Sequence, residues 1–257
     1  MIYVNEVMSR QDELVKVFKD TLNLAKRTTS HTYRKSQKWN IYEDIPPDEE
    51  FDDGNEECEV KVVNADTITT AMNMIEEGLD PLVLNMASDI QPGGGVAKGS
   101  SAQEEDLFRC TNYALCTNKS LYPIGDDEVI VTDEVSIIKD KDYNRLDEYF
   151  ELDFIAVAAI RRPPLEYEDL EPQYMDIEDQ QKMQDKIDAI FRYGIYQEKD
   201  SLLLGALGCG AFRNPPKVVK EMFQSAVDRY RSHFRQITFA VLSNEHNPNY
   251  NIFKDIK

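Results

Sequence analysis

Residues 81–110 read PLVLNMASDIQPGGGVAKGSSAQEEDLFRC. The opening Pro81-Leu-Val-Leu-Asn-Met-Ala87 is a nearly unbroken apolar run of strand length. Such a run is buried on both faces, as the central strands of layered α/β sheets are. Residues 88–102 are rich in glycine and small side chains, and a helix is expected from Gln103 to Thr117. The same order recurs downstream as helix Glu178 to Tyr196, apolar strand Ser201 to Leu207, glycine turn Gly208 to Asn214 and helix Pro215 to Tyr230. Two copies of strand, glycine turn and helix predict an α/β protein: three layers, α/β/α, around a mixed, largely parallel central sheet. Ligands in such sheets settle beyond the carboxyl ends of the central strands.

Working outward, Leu14, Val17, Phe18, Leu22 and Ala25 fall at helical spacing, and Ser9 with Asp12 marks a capped start, so an extra N-terminal helix is expected over Ser9 to Arg27. Glu43 to Glu59 carries ten carboxylates and no basic residue, broken by Pro46, Pro47 and Gly54, and predicts a solvated loop. Order returns with a strand at Val60 to Val63 and a helix at Thr67 to Glu77 stopped by Gly78. Further short strands are expected at Val129 to Val131, Val135 to Ile138, Phe154 to Ile160 and Ile237 to Leu242. Glu166 to Asp179, with seven carboxylates around Pro172, looks like a second exposed loop.

A chain of 257 residues is compatible with one domain, residues 1–257, with an accessory helix and acidic loop over about 1–59 and a core over about 60–257. The 48 acidic residues against 29 Lys and Arg give a net charge of -19, which argues against non-specific nucleic-acid binding. Cys58, Cys110, Cys116 and Cys209 show no CxxC spacing, and His31, His233 and His246 are scattered. Neither a metal site nor a disulfide framework is expected, nor any cofactor, and reduced thiols place the chain in the cytoplasm or nucleus. No signal-like h-region or membrane-length apolar run is present, so a soluble monomer is expected.

The second turn reads Leu207-Gly-Cys-Gly-Ala-Phe-Arg-Asn-Pro-Pro216. Gly208 and Gly210 permit backbone angles closed to other residues, and Asn214 is expected to cap the following helix. Such a turn can cradle a diphosphate on backbone N–H groups and a helix N-terminus, although glycine turns also arise for tight packing alone. Phe212 is placed to lie against a sugar or base. The first turn holds Gly93, Gly94 and Gly95, then seven residues, then Gln103, Glu104 and Glu105. Three consecutive glycines suit a backbone brought very close to a ligand, or a flexible loop. Glutamates in a first helical turn complement the helix dipole, so a surface role for both is a real alternative. Adjacent helical residues diverge by about 100°, so the two carboxylates cannot flank one bond as an opposed glycosidase pair does.

Together these motifs resemble the poly(ADP-ribose) glycohydrolase family of compact microbial type, whose signature is GGG-x(6–8)-QEE and whose diphosphate loop is similar to LGCGAFRNPP. The resemblance extends from the N-terminal helix through Leu121 to Pro123 to the final strand at Ile237 to Leu242. It implies a macrodomain fold and hydrolysis of ribose–ribose glycosidic bonds, without metal or cofactor. By the same resemblance Glu105 is the catalytic acid, Glu104 holds the distal ribose hydroxyls, and Gln103 orders the loop or touches that sugar. Asn85, Ala87 and Ser88 match the strand end beside the distal ribose, with Ser88 standing where animal members carry asparagine. Gly208, Cys209, Gly210, Ala211, Phe212 and Asn214 match the loop around the diphosphate. Cys209 otherwise reads as a small packing residue.

Lys98, Arg109, Arg213 and Lys217 fall in or beside the two turns, and a basic mouth in an acidic chain suits capture of a polymer terminus, hence exo-type release of ADP-ribose. The same four residues also read as ordinary solvated positions. The expected partners are ADP-ribose and poly(ADP-ribose) on modified proteins, with ADP-ribosylated nucleic acid as a further acceptor. Two other readings share the fold: a module that binds ADP-ribose without cutting it, and a hydrolase of mono-ADP-ribosylated acceptors.

Overall fold

A computed structural model describes residues 9–28, 35–54, 56–243 and 248–257. Residues 1–8, His31 and His246, which entered the targeting and metal readings, lie outside them. The elements run α1 (Arg10–Thr28), β1 (Ser36–Asn40), β2 (Glu59–Val63), α2 (Thr67–Glu76), β3 (Pro81–Met86), α3 (Gln103–Cys110), α4 (Tyr113–Cys116), β4 (Glu128–Lys139), β5 (Arg145–Val157), β6 (Leu165–Glu168), β7 (Glu171–Tyr174), α5 (Ile177–Tyr196), β8 (Ser201–Leu204), α6 (Pro216–Tyr230), β9 (Gln236–Ala240) and α7 (Asn249–Phe253).

Seven strands form one sheet in the order β1-β4-β5-β3-β8-β9-β2. The five from β5 to β2 are parallel, while β4 runs against β5 and β1 against β4. This is the expected mixed, largely parallel sheet. Alternation along β3 divides the core: Leu82 and Leu84 face α5 and α6, and Val83 faces α2 and α3. The three layers follow directly.

Local signals act as anticipated at several ends. Ser9 Oγ accepts the Asp12 N–H at 3.2 Å and donates to its carboxylate at 2.7 Å, which starts α1. Asp66 accepts the Thr69 N–H at 2.8 Å to cap α2, and Gly78 at φ 78° ends it. No helix among the described residues is long and apolar enough to cross a membrane.

Other expectations need correction. The helix from Gln103 stops at Cys110, because Thr111 bridges to Ile137, the Asn112 N–H donates to the Ser136 carbonyl and the Ser136 N–H donates to Asn112 Oδ1, so α4 begins a new axis. The two strands expected at 129–131 and 135–138 are one bulged strand, with Glu134 at φ 50° between them. Its partner β5 starts nine residues before Phe154 and ends at Val157. Residues 166–179 are a loop only in part: β6 and β7 form a hairpin whose turn, Asp169 and Leu170, is left-handed at both residues. The acidic run from Glu43 is mostly exposed, yet Ile45 anchors it with 1% exposure. β8 ends at Leu204, short of the expected Leu207.

Candidate active site

The site forms where β3 and β8 part. β5 follows β3 as far as Met86, but β8 pairs only with Pro81 to Val83. After β3 the chain moves toward β4 and β5, and after β8 toward β9, so this crevice is the switch point of the sheet. Beyond Val83 the edge of β3 that faced β8 would carry bare polar groups. Gln103, the first residue of α3, fills that edge: its Oε1 accepts the Met86 N–H at 3.0 Å and its Nε2 donates to the Leu84 carbonyl at 2.7 Å. The side chain expected to order the loop or touch sugar is thus committed to the strand.

With α3 fixed there, the next two carboxylates enter the crevice side by side. Glu104 is 3% exposed and accepts N–H bonds from Ser88 at 2.8 Å and Gly93 at 3.1 Å. Glu105 is 8% exposed and accepts from Gly95 at 2.8 Å and Ala102 at 3.0 Å. The reason for the glycine triplet is now visible. A methyl group at Gly94, which sits at φ 49°, would stand 2.8 Å from Glu105 Oε1 and 3.1 Å from Glu104 Oε2. At Gly93 it would strike the Phe108 ring, and at Gly95 the Ser100 side chain. The loop is close-packed against the glutamates rather than loose.

Burial, opposed by the Ser88 and Gly93 N–H groups and reinforced by the nearby Glu105 charge, pushes the Glu104 carboxyl up to about 8. Around it lie Tyr113 and Tyr122, whose hydroxyls burial also raises. Asn85 is fully buried between Glu104 and Tyr113, the two groups its amide faces, and among the described residues it makes no other hydrogen bond. Ala87 is buried, with its N–H on the Val157 carbonyl at 3.0 Å, and Ser88 is half-buried. Tyr122 belongs to the Leu121 to Pro123 segment that carries part of the resemblance, without a role assigned to it there, and Tyr113 falls inside what reads from sequence as one continuous helix.

The strand ends that lead into the two turns stand next to each other, with Met86 Cε 3.2 Å from a methyl group placed at Gly205. Gly208 is left-handed at φ 74°, as its role required, and a methyl there would collide with Ala159 and Asn214 at 2.5 Å. Gly210 does not use the left-handed region; Arg213, at φ 59°, does. Asn214 is not the helix cap, which falls at Pro215. Its buried amide donates to Ile160 O at 2.8 Å and Gly208 O at 3.2 Å, and its Oδ1 accepts the Tyr174 hydroxyl at 2.7 Å. Asn214 therefore ties the turn together from within. The N–H groups of Gly208, Gly210, Ala211 and Phe212 donate to no acceptor among the described residues, whereas Cys209, Arg213 and Asn214 close the turn on itself. Cys209 packs against the core, its thiol on Leu207 O, and burial pushes that thiol up.

The basic mouth is assembled differently from expectation. Arg109 is wholly buried, bound to Asp106 at 2.9 Å and to the Ser100 carbonyl, with its Nε toward Leu14 O of α1. Lys217 pairs with Glu171 of the hairpin, while Lys98 and Arg213 are exposed. A cation not singled out from the sequence, Arg161 just beyond β5, reaches the crevice, stacked 4.3 Å over the Phe212 ring and forked onto Asp89. Its sequence neighbours, Ile160 and Arg162, gave no motif to mark it.

Among solved structures this fold matches a single-site mutant of poly(ADP-ribose) glycohydrolase from Thermomonospora curvata, with TM-score 0.76 and 20% identity over 94% of this chain and 98% of that one. The enzyme from Deinococcus radiodurans in complex with ADP-ribose gives TM-score 0.66 and 22% identity over 95% and 89%. The Thermomonospora curvata enzyme bound to the inhibitor ADP-HPD gives 0.68 and 20% over 95% and 96%. No curated protein sequence matches the chain. Residues 4–138, more than half of the 257, match the family described as microbial-type PARG, catalytic domain. The chain belongs to that family. It is accordingly an enzyme of the glycosidase class, of poly(ADP-ribose) glycohydrolase type.

Proposed function

We propose that the chain hydrolyses the ribose–ribose O-glycosidic bond of poly(ADP-ribose) from the chain terminus, releasing ADP-ribose, with residues 1–257 acting as one catalytic unit. The observation that carries this reading is the pair of buried carboxylates at the head of α3, each held by two backbone N–H bonds beside a turn with four N–H groups open to a ligand. Cleavage passes through an oxocarbenium-like state, in which the departing ribose hydroxyl needs a proton and a water must attack the anomeric carbon. Glu105 supplies the proton and then, as carboxylate, draws one from the water. Glu104, immobilised against Ser88 and Gly93, holds the distal ribose hydroxyls, with Asn85, buried beside it, as a second polar group for the same sugar. The open N–H groups of Gly208 to Phe212, which precede α6, take the diphosphate. The complexes of the Deinococcus radiodurans enzyme with ADP-ribose and of the Thermomonospora curvata enzyme with ADP-HPD support a nucleotide-sugar ligand at this crevice. Poly(ADP-ribose) on modified proteins is the substrate class, and the Arg161–Asp89 pair beside the two turns suits capture of a chain end.

The test is release of free ADP-ribose from an automodified poly(ADP-ribose) acceptor by the native protein and by Glu105→Gln, with calorimetric binding of ADP-ribose to both. Release by the native protein that disappears in the mutant while binding survives supports the assignment. Binding without release by either protein would make the chain a reader, and turnover of only mono-modified acceptors would move it to that substrate class.

A further inference from the structure

We propose that Arg161 is a substrate-contacting cation of this crevice, masked by Asp89 until the diphosphate of a nucleotide sugar displaces that carboxylate. The inference rests on the reading that the crevice binds ADP-ribose. Arg161 belongs to a segment that lies along the second turn: Ala159 abuts Gly208, Ile160 O accepts the Asn214 amide, and the Arg162 N–H donates to Phe212 O at 2.7 Å. Its guanidinium rests on the Phe212 face, next to the turn in which the Gly208, Gly210, Ala211 and Phe212 N–H groups have no acceptor among the described residues. Across the crevice it meets Asp89, one residue after the Ser88 N–H that holds Glu104; Nε donates to both carboxylate oxygens at 3.0 Å, and Nη2 donates as well.

The Asp89–Arg161 pair thus joins the two ligand turns, yet its side chains are 28% and 43% exposed. At that exposure an ion pair adds little to stability. Apart from Arg161, the Asp89 carboxylate has, among the described residues, only its own backbone N–H as a hydrogen-bonding neighbour, and the two together hold it below the usual carboxylate range. A guanidinium binds carboxylate and phosphate through the same planar fork, and a diphosphate carries more charge than one carboxylate. Exchange of partners leaves Arg161 stacked on Phe212 and returns Asp89 to water. In a chain of net charge -19, the mask also keeps other anions off the arginine until one arrives that the turn's N–H groups bind as well.

ADP-ribose and, separately, adenosine are titrated calorimetrically into the native protein, Asp89→Asn, Arg161→Ala, Arg161→Lys and the double variant Asp89→Asn/Arg161→Ala. Removing the mask tightens ADP-ribose binding by about twofold to fivefold, the worth of one exposed ion pair. Removing the arginine weakens it by about tenfold to a hundredfold, and Arg161→Lys falls between. The double variant binds like Arg161→Ala, and adenosine, which lacks the diphosphate, is unaffected throughout. If Asp89→Asn weakens binding, the pair is a structural strut and the proposal fails. It also fails if the tightening persists without Arg161, since that is a general effect of lost negative charge. Where Arg161→Ala does not melt cooperatively, Asp89→Asn/Arg161→Lys takes its place in the cycle. Native protein that binds no ADP-ribose would instead overturn the function itself, and this assignment with it.

Discussion

Gln103 stands beside Met86 in the place of a missing strand: its carboxamide closes, in one residue, the two backbone groups that β3 exposes once β8 has turned away. The arrangement lets the sheet open for a ligand without leaving buried polar groups unpaired, and it fixes the register of the helix that carries Glu104 and Glu105. Gln103→Ala should cost about 1–3 kcal/mol, the range for stranded buried groups, and lower kcat about tenfold as the glutamates lose their alignment. Gln103→Glu should do no better, because its carboxylate can accept from Met86 but faces the Leu84 carbonyl with a second acceptor. Thermal melts and steady-state kinetics of the two variants check this; wild-type values for Gln103→Ala would show that the strand end tolerates water.

Glu104 gives the fold a pH dependence of defined sign. Burial holds its carboxyl at about 8, above the ordinary value of 4.5, so between these values the native state binds a proton that the unfolded chain has released. The associated stability is fully present below about pH 4.5 and is lost as pH rises through about 8. Glu104→Gln should therefore flatten the melting-temperature profile between pH 5 and pH 8 relative to the native protein. Parallel profiles for the two proteins would mean that Glu104 is ionised in the folded state.

Gly94 and Gly210 separate packing glycines from permissive ones. Gly94→Ala forces a left-handed backbone onto a residue with a β-carbon, costing roughly 1–2 kcal/mol, and drives a methyl into the Glu105 carboxylate, so kcat should fall at least about tenfold. Gly210 has no neighbour within 4 Å of such a methyl and is not left-handed. Gly210→Ala should melt within about 0.5 kcal/mol of the native protein. Equal melting temperatures for the two variants would contradict the contrast.

Asn214, itself buried, holds the second turn through three bonds, one of them from Tyr174 of the hairpin. Asn214→Ala should destabilise by on the order of 2–3 kcal/mol and weaken ADP-ribose binding, whereas Tyr174→Phe should cost about 1 kcal/mol. Denaturant titrations paired with calorimetry read both quantities. An Asn214→Ala protein with native affinity would show that the turn keeps its shape without the tie.

The parts of this molecule legible in the sequence were those whose local pattern and tertiary role coincide. The apolar run at β3, the two glycine turns and the helices α5 and α6 bury faces that their own periodicity announces. β1, SQKWN, carries little apolar signal and exists because β4 offers it an edge; the first half of β5 is polar on an exposed hairpin arm. The triplet glycines were readable as a close approach, but not what they approach. Arg109 reads from sequence as part of a basic mouth or as a solvated position, whereas Asp106 and Ser100 nearby and the Leu14 carbonyl, 95 residues away on α1, take its guanidinium into the interior. Arg161 and Asp89 are 72 residues apart, a relation no local pattern encodes.

Gly99 has a bearing on how the chain can be divided. At φ 79° it lies so close to α1 that a methyl group would stand 2.4 Å from the Gln11 carbonyl, and one residue later the Ser100 carbonyl takes the Arg109 guanidinium. The N-terminal helix is thus the floor beneath the loop that grips Glu105, although about 70 residues of chain separate them. A recombinant fragment trimmed to start at the first parallel strand would uncover that floor and a buried positive charge at once. Fusion tags and insertions belong elsewhere, such as the exposed Asp169-Leu170 turn, and a library seeking looser or tighter substrate grip has an unexpected handle in α1, on the side of the loop away from the ligand.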